Sequence, residues 1–249
     1  MNGMCVRDLS IILNQVPVLT RVSFDVAPGE VMILMGQSGA GKSVLLKALL
    51  GLLPRSKGDI TIGRQALPIH SEPSMDFYRT LGVVFQSCAL FDSLTVGENI
   101  TFGLRDALDE PQRRAKAAHL LTQVELDPIL QDAYPSALSG GMKRRVSIAR
   151  AVATSPSFLF FDEPTEGLDP ILSHHISVLI RKVCRQLKAS AIIICHDLHS
   201  AITMGDRVAL LHQGQLVWSG SASSVAHATH PVMKDFVTLA GWTQTNPTP

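Results

Sequence analysis

The octapeptide GQSGAGKS (36–43) constrains this chain more than any other stretch. It follows the apolar run VMILM (31–35) and opens a helical pattern, so it asks for a strand that ends in a glycine-rich loop and re-enters as a helix. Gly36, Gly39 and Gly41 allow the backbone to curl until successive N–H groups and the helix N-terminus face a phosphate. Lys42 then reaches the β and γ oxygens, and the Ser43 hydroxyl holds Mg2+. Gln37, Ser38, Ala40 and Val44 complete the nucleotide-facing stretch.

Three further apolar runs have strand length and a turn or polar residue after them: FLFF (158–161), AIII (191–194) and VALL (208–211). Buried parallel strands read this way. Helical patterns lie between the first run and the second, at 43–53, 111–126 and 139–153, the last stopped by Pro156. The alternation argues an α/β sheet interrupted by a mostly helical insertion over roughly residues 88–155.

Composition closes other routes. With 22 basic and 21 acidic side chains the formal charge is +1, so the whole-chain balance attracts neither nucleic acid nor an anionic membrane surface. The cysteines Cys5, Cys88, Cys184 and Cys195 stand far apart without a CxxC pair, which fits neither a zinc site nor a disulfide framework and suggests a reducing, cytosolic compartment. No run approaches the ~18 apolar residues of a membrane span, so no transmembrane segment is expected.

Two strand ends carry further chemistry. FLFFDE (158–163) places two carboxylates at the tip of an apolar strand, where Asp162 fits a metal-shell role and Glu163 fits a general base for an attacking water. The plainer alternative is an acidic capping pair before Pro164. AIIICHD (191–197) sets His196 at another strand end, the edge at which parallel sheets build their sites, and suggests a γ-phosphate contact.

LSGGMKRR (138–145) is the motif that identifies a family. Together with GQSGAGKS, Gln86, FLFFDE, the TEGLD turn (165–169) and His196, it resembles the ABC transporter ATPases, with six motifs in the expected order over nearly the whole chain. The resemblance implies a P-loop NTPase (RecA-like) fold: a parallel α/β core over about 1–87 and 156–225, an N-terminal antiparallel β portion, a helical subdomain over about 88–155, and a short C-terminal helix and tail over 226–249. It implies ATP and Mg2+, with catalytic Lys42, Glu163 and His196, and a metal held by Ser43, Gln86 and, through water, Asp162. It also implies a homodimer in which Ser139, Gly140, Gly141 and Met142 of one copy complete the ATP site of the other, with Asp169 at the seam. Read from the residues alone, Ser139 is an N-cap, and Lys143, Arg144 and Arg145 form mainly a solvated helix face. Gln86 reads as an uncharged amide that touches Mg2+ or the lytic water when the helical insertion moves in.

Two positions depart from the common family pattern. Met142 replaces the usual glutamine of the signature, and Leu13 stands where an aromatic normally stacks on adenine. Such stacking is worth ~1–3 kcal/mol per base, so its loss predicts weaker or less adenine-selective binding.

FQSCALFDSLTVGENI (85–100), LSGGMKRR, DEPTEGLDP and the tail HPVMKDFVTLAG (230–241) are most similar to the MlaF-like ATPases of Mla/MCE phospholipid transport. That resemblance implies an MlaE-like permease docking near Phe91, an MCE-domain protein in the wider complex, a small STAS-domain regulator, and a peripheral location on the cytoplasmic face of the inner membrane. The apolar patch Ala89, Leu90, Phe91, Leu94 and Val96 suits a groove for a partner helix, or else the insertion's own core. In the tail, Val232, Phe236 and Leu239 fall at helical spacing with Met233 and Val237 alongside, as a partner surface or as a helix packed on its own core. A polar amino-acid importer shares the six motifs, and a nontransport cell-division type would use the same cassette. A P-loop kinase or GTPase is disfavoured by the signature and by the lack of an NKxD motif.

Overall fold

The computed structural model describes residues 3–69 and 72–239. The chain begins with β1 (Met4–Leu13), β2 (Val16–Val26), β3 (Val31–Met35), α1 (Lys42–Leu49), β4 (Lys57–Ile62) and β5 (Gln65–Ala66). It continues through α2 (Met75–Arg79), β6 (Leu81–Val84), α3 (Val96–Ile100), α4 (Glu110–Gln123), α5 (Gly140–Val152), β7 (Phe158–Asp162) and α6 (Pro170–Leu187). It closes with β8 (Ser190–Ile194), α7 (Leu198–Met204), β9 (Arg207–His212), β10 (Gln215–Ser221) and α8 (Pro231–Leu239). These elements form two compact units, Met1–Ser74 with Ser190–Pro249, and Met75–Ala189. The helical stretch expected over 88–155 lies within the second.

In the first unit, β1 pairs antiparallel with β2 and with β4, and β5 extends β4. The β1–β2 turn is made by Asn14 and Gln15, both left-handed (φ 48 and 65), the backbone that matches a tight hairpin to strand twist. A second set of strands runs in the order β10, β9, β3, β8. Within it β3 is parallel to both β8 and β9, and β10 returns antiparallel on β9. All five residues of β3 and of β8 are buried, as expected of apolar runs covered on both faces. Each fully buried Leu, Ile or Met there contributes ~1.5–3 kcal/mol of transfer free energy.

The helix expected over 43–53 stops at Leu49. Gly51 adopts φ 71, Leu52 N–H donates to the Lys47 carbonyl (2.9 Å) and Gly51 N–H to that of Ala48 (3.0 Å), which ends the helix through a left-handed glycine. In α8 the fully buried side chain is Met233, while Val232, Phe236 and Val237 are half-buried, so the helix packs against its own unit beside the turn at Ala222–His227. The Leu239 side chain of that expected stripe, and residues 240–241 of the tail, lie outside the described residues.

In the second unit β6 and β7 pair in parallel, with Val84 opposite Phe161. Helix starts here are written in the sequence: Thr95 with Glu98 and Asp109 with Gln112 form reciprocal capping boxes for α3 and α4, and Asp169 caps α6 ahead of Pro170. Helix α4 covers Glu110–Gln123 rather than 111–126, because Glu125 turns left-handed (φ 60). Helix α6 buries Ile176, Leu179, Ile180, Val183 and Cys184, one stripe at helical spacing. Among the described residues no helix is long and apolar enough to cross a membrane.

Candidate functional site

In the first unit the phosphate loop is built by close approach. A Cβ on Gly36 would stand 2.4 Å from the Leu211 carbonyl oxygen of β9, and one on Gly41 would stand 2.7 Å from Leu19 Cδ2 of β2. Gly39 and Gly41 are left-handed (φ 79 and 102), a conformation in which glycine alone is unstrained. The β9–β10 turn braces the loop from outside: Gly214 N–H donates to the Ala40 carbonyl (3.2 Å), and Thr20 N–H donates to the Gly214 carbonyl (2.9 Å). The start of α1 has no side-chain cap, so its first-turn N–H groups are available to an anion. Lys42 Nζ folds over the loop, donating to the carbonyls of Gly36 (2.7 Å) and Gln37 (3.1 Å). Gln37, Ser38, Gly39 and Ser43 are exposed, whereas Ala40 is buried and Val44 half-buried. An uncapped helix start, crowded glycines and one lysine fit a nucleotide phosphate chain, and the exposed Ser43 hydroxyl fits a hard cation's oxygen preference.

His196 belongs with this loop. Ile194 of β8 lies opposite Leu34 of β3, and Cys195 N–H donates to the Leu34 carbonyl (3.3 Å), so His196 stands at the carboxyl edge one strand away from Gly36. It is exposed, while Cys195 before it is buried and Asp197 after it caps α7 through Ser200 N–H (2.7 Å). Leu13, at the end of β1 and paired with Val16, is half-buried.

In the second unit, Asp162 ends β7 half-buried, and Glu163 follows in the left-handed region (φ 47). That conformation costs a non-glycine residue on the order of 1–3 kcal/mol and is found where a chain must present a functional group. The Glu163 carbonyl accepts from Glu166 N–H (3.2 Å), closing a turn around Pro164 and Thr165. Gln86 lies just beyond β6 at the same carboxyl edge, and its side-chain Nε2 donates to the Glu166 carboxylate. The sequence singled out Gln86 but not Glu166, whose partner lies 80 residues away.

Ser139 caps α5 through Met142 N–H (3.3 Å). A Cβ on Gly140 would meet nothing within 4 Å, while one on Gly141 would stand 2.7 Å from Leu172 Cδ2 of α6. Met142 is half-buried. Asp169 Oδ1 accepts from Leu172 N–H (2.9 Å), so the cap of α6 lies beside the residue that packs on Gly141.

The basic cluster on α5 is not uniformly solvated. Arg144 is buried at 5% exposure, and its Nη1 donates to the carbonyls of Phe85 (3.0 Å) and Gln86 (2.8 Å). Helical spacing turns position 144 inward, away from Lys143 and Arg145. Arg150, two turns on, donates to the carbonyls of Cys88 (2.8 Å) and Ala89 (2.6 Å), both left-handed, and burial holds its guanidinium below the usual arginine range.

The apolar patch after Gln86 divides. Val96 is fully buried core, Leu90 and Leu94 are half-buried, and Ala89 is exposed, as is Phe91 at 43%. Phe91 stacks on Phe102 with ring centroids 4.7 Å apart, and Arg105 lies 4.6 Å over the Phe102 ring. Buried Asn99 holds this loop by accepting from Phe91 N–H (2.8 Å) and donating to the carbonyls of Phe91, Leu94 and Thr95.

Comparison with known proteins agrees with this geometry. The family profile described as ABC transporter matches residues 19–166. The chain is 36% identical over 252 residues to protein TRIGALACTOSYLDIACYLGLYCEROL 3, chloroplastic, of Arabidopsis thaliana, covering 93% of this chain and 72% of that protein. It is also 36% identical over 228 residues to the sulfate/thiosulfate import ATP-binding protein CysA of Burkholderia mallei, covering 90% of this chain and 64% of that one. The chain thus spans less than two thirds of that relative, and 62% of a putative ATP-binding protein of Brucella abortus. Among solved structures, the dimeric post-hydrolysis cassette MJ0796 bound to ADP and Pi superposes with a TM-score of 0.79 at 26% identity, covering 88% of this chain and 98% of that chain. Clostridium perfringens cbiO1, part of the transporter complex cbiONQ, gives 0.82 at 28% identity, covering 95% and 94%. A phosphate loop, acidic strand end and capped glycine helix start, in a chain with these relatives, belong to one family: the chain is a member of the ABC transporter ATP-binding family, P-loop NTPase cassettes that hydrolyse ATP.

Proposed function

We propose that this chain is the ATP-hydrolysing subunit of a phospholipid transporter, peripheral to the cytoplasmic face of a membrane and paired with separate permease subunits. The observation that carries the ATPase reading is the brace on the phosphate loop, with glycines crowded by Leu211 and Leu19 and an uncapped helix start behind them. In this reading the α1 amides and Lys42 hold the β and γ phosphates of ATP, and His196 contacts the γ-phosphate. Ser43, Gln86 and, through water, Asp162 hold Mg2+, which neutralises charge on the phosphate oxygens when bound. Glu163 accepts the proton of the attacking water. Two copies pair head to tail, so that Ser139, Gly140, Gly141 and Met142 of one meet the nucleotide of the other, with Asp169 at the seam.

Glu163→Gln keeps the shape of the acid but removes its basicity. Turnover by this variant falls by roughly 10²–10⁴-fold while ATP binding persists, measured by single-turnover hydrolysis beside nucleotide binding. Near wild-type hydrolysis would remove Glu163 from the base role.

The lipid cargo is supported by the signature LSGGMKRR and by the relative at 36% identity that carries a glycerolipid's name. In this reading an MlaE-like permease docks near Phe91, an MCE-domain protein joins the complex, and a small STAS-domain protein regulates it. A second reading, an importer of a small polar solute, is favoured by equal identity to the sulfate/thiosulfate ATPase and by 35% identity to the Carboxydothermus hydrogenoformans methionine import protein MetN. Co-purification with the membrane partner and mass spectrometry of what is bound decides between them. Phospholipid supports the first, and a soluble ligand without phospholipid supports the second.

A further inference from the structure

The backbone on either side of Gln86 is tied down by charge-bearing donors on α5. Arg144 takes the carbonyls of Phe85 and Gln86, and Arg150 takes those of Cys88 and Ala89. With its backbone held, the Gln86 side chain still has to choose which end of its amide it presents. A primary amide carries an acceptor oxygen and a donor NH2 of nearly the same shape, and only the oxygen can serve a cation or accept a proton from water. The ionised carboxylate of Glu166 has acceptors only, so it binds the NH2 end and rejects the oxygen end. Glu166 is itself held in the turn closed by its own N–H on the Glu163 carbonyl, so the group that reads the amide is part of the loop that presents the candidate base.

We infer that Glu166 is a positioning residue for hydrolysis: by holding Nε2 of Gln86 it leaves Oε1 as the end offered to Mg2+ or the lytic water, and it ties that choice to the Glu163 turn. The inference rests on the ATPase reading of the same site.

Its test uses the full chain and begins without metal or nucleotide. The Gln86 side-chain NH2 resonances, assigned by comparison with Gln86→Ala, lie downfield as charge-assisted donors do, and move to free-amide positions in Glu166→Ala. With ATP present, Glu166→Ala raises the Mg2+ concentration for half-maximal turnover by roughly tenfold, the scale of one charge-assisted hydrogen bond. Glu166→Asp, which keeps a carboxylate, recovers part of that loss. Glu166→Ala has no further effect in a Gln86→Ala background, because it acts through that side chain.

Free-amide resonances in the wild type would overturn the inference, as would unchanged Mg2+ dependence in Glu166→Ala or independent, additive effects of the two substitutions. A wild-type chain that turns over no ATP would overturn the ATPase reading and the catalytic half of the inference together. The amide resonances, read without nucleotide, tell that failure from the others.

Discussion

At Gly41 the start of α1 has no side-chain cap, a left-handed backbone, and packed atoms of β2 where a side chain would go. At Ser139 the start of α5 has a side-chain cap, glycines without left-handed torsions, and open space beside Gly140. Both expose the positive end of a helix, but the first is shaped by the protein's own packing and the second is left bare. A glycine in the first place is required by the fold. In the second, Gly141 is crowded by Leu172 of α6, and Gly140 alone is required only by whatever approaches it.

The sharpest way to break this contrast is Gly36→Ala. Its Cβ meets the backbone oxygen of Leu211, which cannot rotate away, so unfolding free energy falls by about 3 kcal/mol with loss of nucleotide binding. Urea denaturation and nucleotide titration check both, and a stable, nucleotide-binding variant would show that β9 does not brace the loop. Ser139→Ala removes the α5 cap and costs about 1 kcal/mol by the same denaturation measurement. Gly140→Ala goes the other way: with nothing within 4 Å, the gain from a stiffer chain raises stability by roughly 0.5 kcal/mol while turnover falls. A variant that lost stability and turnover together would place Gly140 in the fold's own packing.

The smallest effect concerns the two units' surface ion pairs. Arg7 grips Asp25 in one and Arg114 grips Asp132 in the other, each through two-point contact that holds the aspartate below its usual range. A depressed carboxylate stabilises the fold at pH values above its unfolded pKa of ~3.9, and that contribution is lost as pH falls through the lower folded value. Both pairs are largely exposed, so solvent screening keeps the contribution small. Arg114→Met and Arg7→Met each flatten the acid limb of stability between about pH 5 and 3 slightly, with no change at neutral pH beyond loss of the pair.

What the sequence made legible follows from range. The strands at VMILM, FLFF, AIII and VALL, the phosphate loop and the Ser139 cap were all readable, because each depends on neighbours a few residues away. Gly51 carried a readable stop signal within an otherwise helical run, and the apolar residues around it masked that signal. Arg144 looked like part of a cationic face because three basic residues stand together, while its burial is decided by carbonyls 58 and 59 residues away. Glu166 was hidden for the same reason. Its charge is ordinary in a turn, and only the fold brings it to Gln86.

The brace on the phosphate loop also sets an order of events in time. Leu211 and Gly214, which close the loop, are synthesised about 175 residues after it, and the first residue of β3 waits for Asp206, 175 residues downstream, to accept its N–H. At roughly 5–20 residues per second, the ribosome leaves that interval open for on the order of 10 s or more. A nascent chain therefore carries its complete phosphate motif through that interval without the walls that give it shape.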